Sequence, residues 1–415
     1  MTQFFSKLSR EQMKTFNQKV ILKLLKEHGV LSKAQLSKIS QLTVPAVTGI
    51  IQTLMQSQLI EEIGPTKTSR GRFPSTYKVR SDGIHILAFT IATTFAKAAV
   101  INLEGEIKEI CQTTLPKHVT SEQALSYVEK LVQQCKPDQY QIIGMGAGLH
   151  GIVDTKKGIL VFPPQLSWRS FPILEELEKR FSYPVLIDND CNALVLAERW
   201  FGQAKEGETT VTLNVDYGIG AGIYMNRSLF RGSHSAAGQI GHSIINEDGL
   251  DCPCGNRGCL EMHASEPSIV RELKTKIDSG LTSISTDLAG DVLSIQIQHI
   301  YEAALLNDEL AISLLSRAGA LTGKAASSLV NILNPDRIIL SGGILKSNHT
   351  FFEPFQTAIQ VASIQTNSAK LEIVKSNLGD HADVIGAASL WIDQLFDSSV
   401  PLESIINHTS TLSEQ

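Results

Sequence analysis

The spacing of apolar residues predicts three helices near the start of the chain. Residues 14–28 form the first helix, and its apolar face consists of Phe16, Val20, Ile21, Leu24 and Leu25. Gly29 ends this helix, and Ser32 opens a short second helix in which Gln35 can complete a capping box. The inward face of the second helix is formed by Leu36 and Ile39, and that helix ends near Ser40.

A third helix begins after Thr43, which can cap it, and Pro45 falls in its first turn, where proline is tolerated. Its inward face is formed by Val47, Ile50, Ile51 and Leu54. Its outward face is small and uncharged and is formed by Ala46, Thr48, Gly49, Gln52 and Thr53. Such a face can enter a DNA major groove without steric conflict, and two helices joined by a tight turn are typical of a helix-turn-helix.

Two short strands that follow predict a wing, and they contain Leu59, Ile60 and Ile63, then Tyr77 and Val79. Between them Arg70 and Arg72 flank a glycine, so two guanidinium groups can reach phosphates or a narrow minor groove. We predict a winged helix-turn-helix over residues 1–82, with candidate DNA contacts at Thr43, Pro45, Ala46, Thr48, Gln52, Arg70 and Arg72. The alternative is a small helical domain that binds protein.

Beyond residue 83 the pattern changes to alternating strands and helices. Strands are predicted at 84–92, 97–103, 142–148, 184–188, 209–215, 219–225 and 337–340. Long helices are predicted at about 121–135, 191–201, 308–333 and 383–397. This order indicates an α/β body.

Composition and charge refine this division. The 415 residues are 42% hydrophobic and 19% charged, which is typical of a soluble globular protein and excludes a disordered or membrane-spanning chain. The opening residues lack the apolar core of a secretory signal, so we expect a cytoplasmic protein. Residues 1–80 carry 13 Lys and Arg against 4 Asp and Glu, whereas the other 335 residues have a net charge of −14. A basic head on an acidic body indicates a polyanionic partner for the head, although a solvated basic surface remains the alternative.

The densest chemical signal is a group of three cysteines and one histidine. His242 is followed by Cys252, Cys254 and Cys259 within 18 residues. Three thiolates and one imidazole match a closed, tetrahedral zinc site, which predicts one structural Zn²⁺ per chain. Free thiols beside an unrelated histidine are the alternative.

Three motifs resemble those of the ROK family, which contains repressors and sugar kinases. The run from Ala237 to Glu261 resembles the family signature, Ile187 to Leu194 its carbohydrate loop, and Asn334 to Gly343 its late phosphate-side loop. The resemblance covers about residues 83–397 and implies a two-lobed body of the hexokinase and actin type. We expect a first lobe at 83–195, completed by a C-terminal helix at about 381–397, and a second lobe at 196–380 that carries the zinc site and an oligomerisation surface. The predicted helix-turn-helix is similar to that of the family's repressors, and its kinases lack one.

Departures from the kinase pattern predict that ATP binding is lost. The kinases open their first lobe with D-x-G-G-T, and the matching positions here, Thr90 to Thr94, read T-I-A-T-T. Without those glycines the backbone cannot easily close on a triphosphate, and Asp216 adds a negative charge to the second phosphate loop. We therefore predict that the chain is not an enzyme. The alternatives are an active sugar kinase with an appended DNA-binding domain, and a sugar-binding scaffold whose head binds protein.

The sugar side of the family pattern is better preserved. The resemblance implies sugar contacts at Asn189, Asp190, Gln239, His242 and Glu261. Asp190 matches the kinase general base, and Gln239 stands where the kinases usually have Glu. His150 stands where they often have proline. The alternative for Asn189 and Asp190 is a polar strand-to-helix turn with N-cap chemistry.

Together these features predict a sugar-responsive, DNA-binding transcriptional regulator, a repressor of genes for carbohydrate uptake and metabolism. Its expected ligands are double-stranded operator DNA and a sugar or sugar-phosphate effector. The resemblance further implies a homodimer or homotetramer. It also implies a second possible partner, a component of a phosphotransferase-system sugar transporter that captures the protein. Such a protein is expected in the cytoplasm, on the nucleoid when bound to DNA.

Overall fold

The computed structural model describes residues 10–64, 75–162, 168–205, 207–396 and 402. The N-terminal head, residues 10–79, contains three helices and a small antiparallel sheet. The helices are α1 (Arg10–His28), α2 (Lys33–Ser40) and α3 (Val44–Gln56). The strands are β1 (Leu31–Ser32), β2 (Ile60–Ile63) and β3 (Thr76–Val79), in the order β1-β3-β2. The predicted helix-turn-helix and both wing strands are therefore present.

The predicted helix boundaries of the head follow from local capping. Gly29 adopts φ +72° after α1, and the Ser32–Gln35 capping box opens α2. The Thr43 hydroxyl accepts the Ala46 amide at 3.4 Å at the start of α3. All four residues predicted for the inward face of α3 are buried.

Two inward assignments were wrong. Phe16 is 62% exposed and Ile39 is 46% exposed. The buried face of α1 also includes polar Gln18 and Lys19, because this helix packs on the body as well as on the head. That second contact rotates the buried face of α1 away from Phe16, a shift that apolar spacing does not reveal.

The first lobe is built on a five-stranded sheet in the order β10-β7-β4-β5-β6. The strands of this lobe are β4 (His85–Ile91), β5 (Phe95–Asn102), β6 (Ile107–Thr114), β7 (Ile142–Leu149), β8 (Ile152–Asp154), β9 (Ile159–Phe162) and β10 (Val185–Asn189). The short strands β8 and β9 form a separate two-stranded pair, and Leu160 of β9 also makes an antiparallel bridge to Phe171. The helices are α4 (Ser121–Gln134), α5 (Ile173–Arg180) and α6 (Asp190–Phe201).

The second lobe repeats this plan with a sheet in the order β13-β12-β11-β14-β15. Its strands are β11 (Thr210–Val215), β12 (Ile219–Met225), β13 (Ser228–Leu229), β14 (Arg337–Ser341) and β15 (Glu372–Lys375). The helices that follow α6 are α7 (Glu261–Ala264), α8 (Glu266–Asp278), α9 (Ile284–Ala289), α10 (Ile297–Leu305), α11 (Glu309–Leu333), α12 (His349–Ala362), α13 (Gln365–Ser368) and α14 (Ala382–Phe396). No helix in these described ranges is long and apolar enough to cross a membrane.

Helix α6 lies between the two sheets. It packs on the C-terminal helix α14 and on β7 and β10, and also on β11 and β12 of the second sheet. The predicted lobe boundary at residue 195 falls inside this helix, and the three-domain division remains a prediction. Helix α14 packs on β4 and β7 of the first sheet.

The head shares a hydrophobic core with the first lobe. Ile21 and Leu25 of α1 belong to the same buried cluster as Trp391 and Ile392 of α14. The Lys26 ammonium lies 2.8 Å from the Glu104 carboxylate and donates to the Leu103 carbonyl oxygen at 2.9 Å. The head is thus packed directly on the body.

Candidate functional site

The four predicted metal ligands converge at one point. Cys252 Sγ lies 3.6 Å from His242 Nδ1, and Cys254 Sγ lies 3.7 Å from Cys259 Sγ. All four ligand atoms lie within 4.8 Å of one another. A tetrahedral zinc with Zn–S bonds of about 2.3 Å separates its ligands by roughly 3.7 Å, so the cluster can hold such an ion.

Tight loop geometry assembles this cluster. Gly258 adopts φ +74°, and a Cβ atom there would lie 1.6 Å from the Asn246 carbonyl oxygen. Only glycine permits this approach. The same loop leads directly into Glu261, so the metal centre and one candidate sugar contact share a short segment.

On the first lobe, Asn189 caps α6. Its Oδ1 accepts the amides of Cys191 at 2.9 Å and Asn192 at 3.2 Å. Its Nδ2 donates to the Gly151 carbonyl oxygen and to Asp190 Oδ1, each at 2.8 Å. These bonds use both donors and both lone pairs of the amide. The side chain therefore has the N-cap role that the sequence left open, and a sugar contact would have to replace one of these bonds.

Asp190 pairs with His150 at the ends of the neighbouring strands β10 and β7. Asp190 Oδ2 lies 3.2 Å from His150 Nδ1, while Asp190 Oδ1 also accepts the Cys191 amide at 2.9 Å. Burial opposes the charged form of His150, but the carboxylates of Asp190, Glu261 and Asp216 outweigh it and raise the pKa of the imidazole. The neighbouring carboxylates therefore favour the protonated form of the imidazole.

The second lobe presents its candidates around the start of β12. Glu261 Oε2 accepts the Ile219 amide at 3.1 Å. A Cβ atom on Gly218 would lie 3.0 Å from both Glu261 Oε2 and His150 Cε1. The segment that carries Gln239 and His242 approaches the same strand so closely that a Cβ on Gly241 would lie 2.2 Å from the Ile219 carbonyl oxygen. The structure thus gathers His150, Asp190 and Glu261, whereas Gln239 and His242 lie on the segment that packs against β12.

The phosphate-side loops contain carboxyl groups. Asp216 lies in the turn between β11 and β12, and its carbonyl oxygen accepts the Glu266 amide at 3.0 Å. A Cβ atom on Gly343 would lie 2.2 Å from Glu266 Oε1 and 3.4 Å from Asp216 Oδ1. Burial, followed by the charge of Asp216, raises the pKa of Glu266 to about 8. At the position that matches the first residue of the kinases' D-x-G-G-T, the Thr90 hydroxyl donates to the Gly148 carbonyl oxygen at 2.9 Å.

Sequence reasoning missed two contacts of this cleft. Tyr301 donates its hydroxyl proton to Glu266 Oε1 at 2.6 Å, and Arg231 Nε donates to the buried carboxylate of Asp188 at 2.7 Å. The second pair joins a loop of the second lobe to the end of β10. The only sequence signal for the Arg231–Asp188 contact was the acidic residue Asp188, one position before the Asn189 cap.

The candidate DNA contacts on α3 are accessible. Thr43, Pro45, Ala46 and Gln52 are exposed, and Thr48 is half-buried with its hydroxyl donating to the Val44 carbonyl oxygen at 2.9 Å. These positions lie on or just before the first three turns of α3. Arg70 and Arg72 lie outside the described residues.

Two α/β lobes around a cleft, with a helix-turn-helix packed on the first lobe, define a regulator built on an actin-like body. The chain matches the ROK family over residues 87–394 and belongs to it. Its sequence resemblance and predicted fold class are therefore confirmed.

Curated relatives match nearly the whole chain, including the head. The xylose repressor of Bacillus subtilis is 27% identical over 93% of this chain and 97% of its own length. The transcriptional dual regulator NagC of Escherichia coli is 26% identical over 91% of this chain and 92% of its own length. These relatives are transcriptional regulators, so the prediction of a sugar-responsive repressor is confirmed at the level of protein class.

Two solved structures differ in how much of this chain they match. A ROK-family transcriptional regulator described as a homologue of Escherichia coli Mlc superimposes with a TM-score of 0.82 at 26% identity, over 95% of this chain and all of that one. A ROK glucokinase of Streptomyces griseus, in complex with glucose and an ATP analogue, superimposes with a TM-score of 0.69 at 27% identity. That match covers 74% of this chain and 98% of the kinase.

Proposed function

We propose that this protein represses transcription from operator DNA and that a sugar bound between its lobes controls that binding. Two observations together support the proposal. The head exposes an uncharged face of α3, and in the body the loops that match the kinases' phosphate-binding loops carry carboxyl groups. Kinase activity is lost in this proposal, because Asp216 and Glu266 lie where a nucleotide's phosphates would need donors and a metal ion.

Helix α3 is the part of the head that reads the operator. Its N-terminal turns expose Thr43, Pro45 and Ala46, and Gln52 projects from the same accessible side. Gln can bond bidentately to adenine in the major groove, and small side chains allow close approach. Arg70 and Arg72 then add contacts to phosphates or to the minor groove.

A chain of contacts connects the cleft to the head. Helix α6 begins at Asp190 in the cleft and ends at Phe201. At that far end, Arg199 lies 3.6 Å from Glu27 of α1, and the Lys26 ammonium lies 5.0 Å from the centre of the Phe201 ring. A sugar that changes the position of the α6 N-terminus therefore acts on an element that touches α1.

The Cys₃His cluster holds one structural Zn²⁺ in this proposal. The ion would bind His242 through Nδ1 and the three cysteines through Sγ, and it would supply folding energy to the loop. Since His242 and Glu261 flank that loop, the zinc orders the second-lobe side of the sugar site. Asp190, Glu261 and Gln239 would bind sugar hydroxyls, and Asn189 would position Asp190.

A two-fold homodimer fits a palindromic operator, and a homotetramer would pair two such dimers. A phosphotransferase-system transporter component is the protein partner that could replace or assist the sugar. The protein works in the cytoplasm, bound to the nucleoid when it represses.

The proposal is tested by selecting fragments of the source genome with the purified protein and sequencing those retained. We expect enrichment of palindromic sites near genes of sugar uptake or metabolism. Retention of fragments without any common site would contradict the proposal, and retention of none would favour a head that binds protein.

The assignment of the reading helix has its own test on the selected site. Thr48→Ala and Gln52→Ala should cost about 1–3 kcal/mol on the operator and leave the salt dependence nearly unchanged. Arg70→Ala and Arg72→Ala should flatten the dependence of affinity on salt by about one unit per phosphate contact. If a dimer contacts about six to ten phosphates, wild-type affinity falls roughly 10³- to 10⁵-fold between 50 and 200 mM salt.

Fluorescence anisotropy on operator and scrambled duplexes measures both effects. Gln365→Ala, at an exposed position on α13 of the body, serves as the control. Unchanged operator preference in the Thr48 and Gln52 variants would place the reading surface elsewhere.

A further inference from the structure

The polypeptide chain passes between the two lobes at two places. It leaves the first lobe after α6, at Phe201, and enters β11 of the second lobe at Thr210. It leaves the second lobe after β15, at Lys375, and returns to the first lobe at Ala382 of α14. Any rotation of one lobe against the other is taken up at these two passages, because a hinge consists of the few residues that connect two packed bodies.

Glu198, in the last turn of α6, contacts both passages. Its Oε2 accepts the Gln203 amide at 2.8 Å, and its carbonyl oxygen accepts the amides of Gly202 and Ala204, each at 3.1 Å. The Ser376 hydroxyl, one residue after β15, stands close enough to favour the charged form of the carboxyl group. One side chain therefore joins the segment that leaves the first lobe to the segment that returns to it.

The carboxyl group of Glu198 is buried and incompletely bonded. The residue is 0% exposed, and its Oε1 makes no hydrogen bond within the described residues. Burial raises the pKa of Glu198, although the Ser376 hydroxyl and the Gln203 amide act in the opposite direction. Because a buried polar atom without a partner is costly, an arrangement of the lobes that brings the Ser376 hydroxyl to Oε1 gains a hydrogen bond.

The three residues that follow Glu198 contact the head and the helix that supports it. Arg199 and Phe201 contact α1 through the ion pair and the ring contact given above. Between them, Trp200 donates from Nε1 to Asp393 of α14 at 3.2 Å. The end of α6 thus holds the lobe connection and the head contacts together, so a displacement of this turn reaches α1.

We propose that Glu198 is a positioning residue that couples the angle between the lobes to the head. In the arrangement described here Oε1 lacks a partner, and in a second arrangement it accepts a hydrogen bond from the Ser376 hydroxyl. The Ser376 oxygen accepts the Leu378 amide at 3.3 Å, which leaves the hydroxyl proton for this bond. The inference rests on the proposed function and names how the cleft regulates operator binding, since a ligand that changes the angle between the lobes selects one of the two arrangements.

Hydrogen exchange of the full-length, zinc-loaded protein tests this coupling without any sugar. Coupling between two sites is reciprocal, so operator DNA bound by the head must act back on the lobe connection. The selected operator duplex should slow exchange of the Gln203 and Leu378 amides, because it selects one arrangement of the lobes. A scrambled duplex is the control, and the amides of α4 are the internal reference. Unchanged exchange at both amides in protein that has bound its operator would overturn the inference.

Substitutions at Ser376 test the proposed hydrogen bond. The readout is the ratio of the operator Kd with and without sugar, measured by anisotropy with D-glucose, D-xylose and N-acetylglucosamine in turn. For the sugar with the largest effect, Ser376→Ala should change this ratio by roughly 2- to 10-fold, the shift in equilibrium that one hydrogen bond produces. Ser376→Thr keeps the hydroxyl and should retain the wild-type ratio, as should Ser279→Ala, at an exposed position after α8. Partial unfolding would lower the active fraction but not this ratio.

Glu198→Leu removes the acceptor and completes a double-mutant cycle. In the Glu198→Leu background, Ser376→Ala should have no further effect on the ratio, because both side chains act through the same bond. A further change as large as that in the wild-type background would overturn the inference. If Glu198→Leu does not fold, the Ser376 variants and the exchange measurement still decide the matter.

The inference and the proposed function can fail separately. An unchanged ratio in a folded Ser376→Ala protein would overturn the inference and leave sugar-controlled repression standing. If no sugar changes the operator Kd of the wild type, the sugar-controlled part of the proposed function fails. Slowed exchange at Gln203 and Leu378 would in that case still support the coupling through Glu198, and unchanged exchange would overturn it.

Discussion

The two ends of the cleft differ in what their residues can still bind. At the sugar end, Asp190 and Glu261 remain oriented by backbone amides, and His242 stands in the adjoining loop. At the phosphate end, Thr90 is bonded to the Gly148 carbonyl oxygen, and Glu266 lies against Gly343. The first end retains acceptors for hydroxyl groups, whereas the second offers carboxyl groups where phosphates would need donors.

This contrast suggests how a kinase-like body can serve as a sensor. Binding of a sugar and transfer of a phosphoryl group depend on different loops, so the second can be lost while the first persists. The buried carboxyl groups also fill space at the phosphate end, since Tyr301 and Asp216 hold Glu266 in place.

Removal of the metal should have the largest effect, and it should act first on the loop that carries His242 and Glu261. Cys254→Ala is expected to lose the zinc and unfold the loop between His242 and Glu261, because metal binding to small structural sites contributes on the order of 10 kcal/mol. Metal analysis should give about one zinc per wild-type chain and almost none in the variant. Cys111→Ala, outside the cluster, serves as the control.

Sugar affinity in that variant should fall below detection. A wild-type protein without zinc after purification free of chelators would contradict the assignment of the metal.

Phosphoryl transfer should be absent in the wild type. With ATP, Mg²⁺ and either glucose, N-acetylglucosamine or xylose, a coupled assay should detect no turnover, because Thr90, Ala92 and Thr93 do not form a phosphate loop. The Streptomyces griseus glucokinase provides the positive control. Turnover that disappears in Asp190→Ala would show that the phosphate end still works.

A smaller effect concerns the pH dependence of stability. Glu266 holds its proton up to a pKa of about 8 in the folded chain, whereas in the unfolded chain it releases the proton near its ordinary pKa of 4.5. Unfolding between these values releases a proton, so the free energy of unfolding should fall as pH rises from about 5 to 8, by on the order of a few kcal/mol.

Glu266→Gln should flatten this slope, because the amide does not titrate and still accepts the Tyr301 bond. Glu302→Gln, on an exposed position of α10, should leave the slope unchanged. Urea denaturation at several pH values gives the free energy of unfolding of all three proteins. Equal slopes of this free energy against pH in the wild type and in Glu266→Gln would show that Glu266 does not hold a proton in the folded chain.

Much of the fold follows from local signals in the sequence. The capping residues Ser32 and Thr43 place α2 and α3, and the run Ile338–Leu340 places β14. Strand β6 was not predicted because its residues, Ile107–Thr114, are only half-buried and include charged side chains. The helices α8, α10 and α12 were also not predicted, and α12 contains Pro354, a residue that argues against a helix interior.

The candidate site was predictable where one short segment contains its ligands, as in the loop from Cys252 to Cys259. It was not predictable where distant segments meet. Glu266 and Tyr301 are 35 residues apart, and their bond depends on the packing of α8 and α10. The imidazole of His150 between the lobes likewise depends on the absence of a side chain at Gly218.

In the proposed function, a sugar bound between the lobes controls the head, and the phosphate-side loops no longer contribute. Anisotropy of a labelled operator duplex, titrated with protein in the presence of each neutral sugar or of Mg-ATP, measures this control. At least one sugar should change the operator Kd about 5- to 150-fold, the usual range of coupling between two sites, and Mg-ATP should not change it. An operator Kd that responds to Mg-ATP and to none of the sugars would contradict the proposed function.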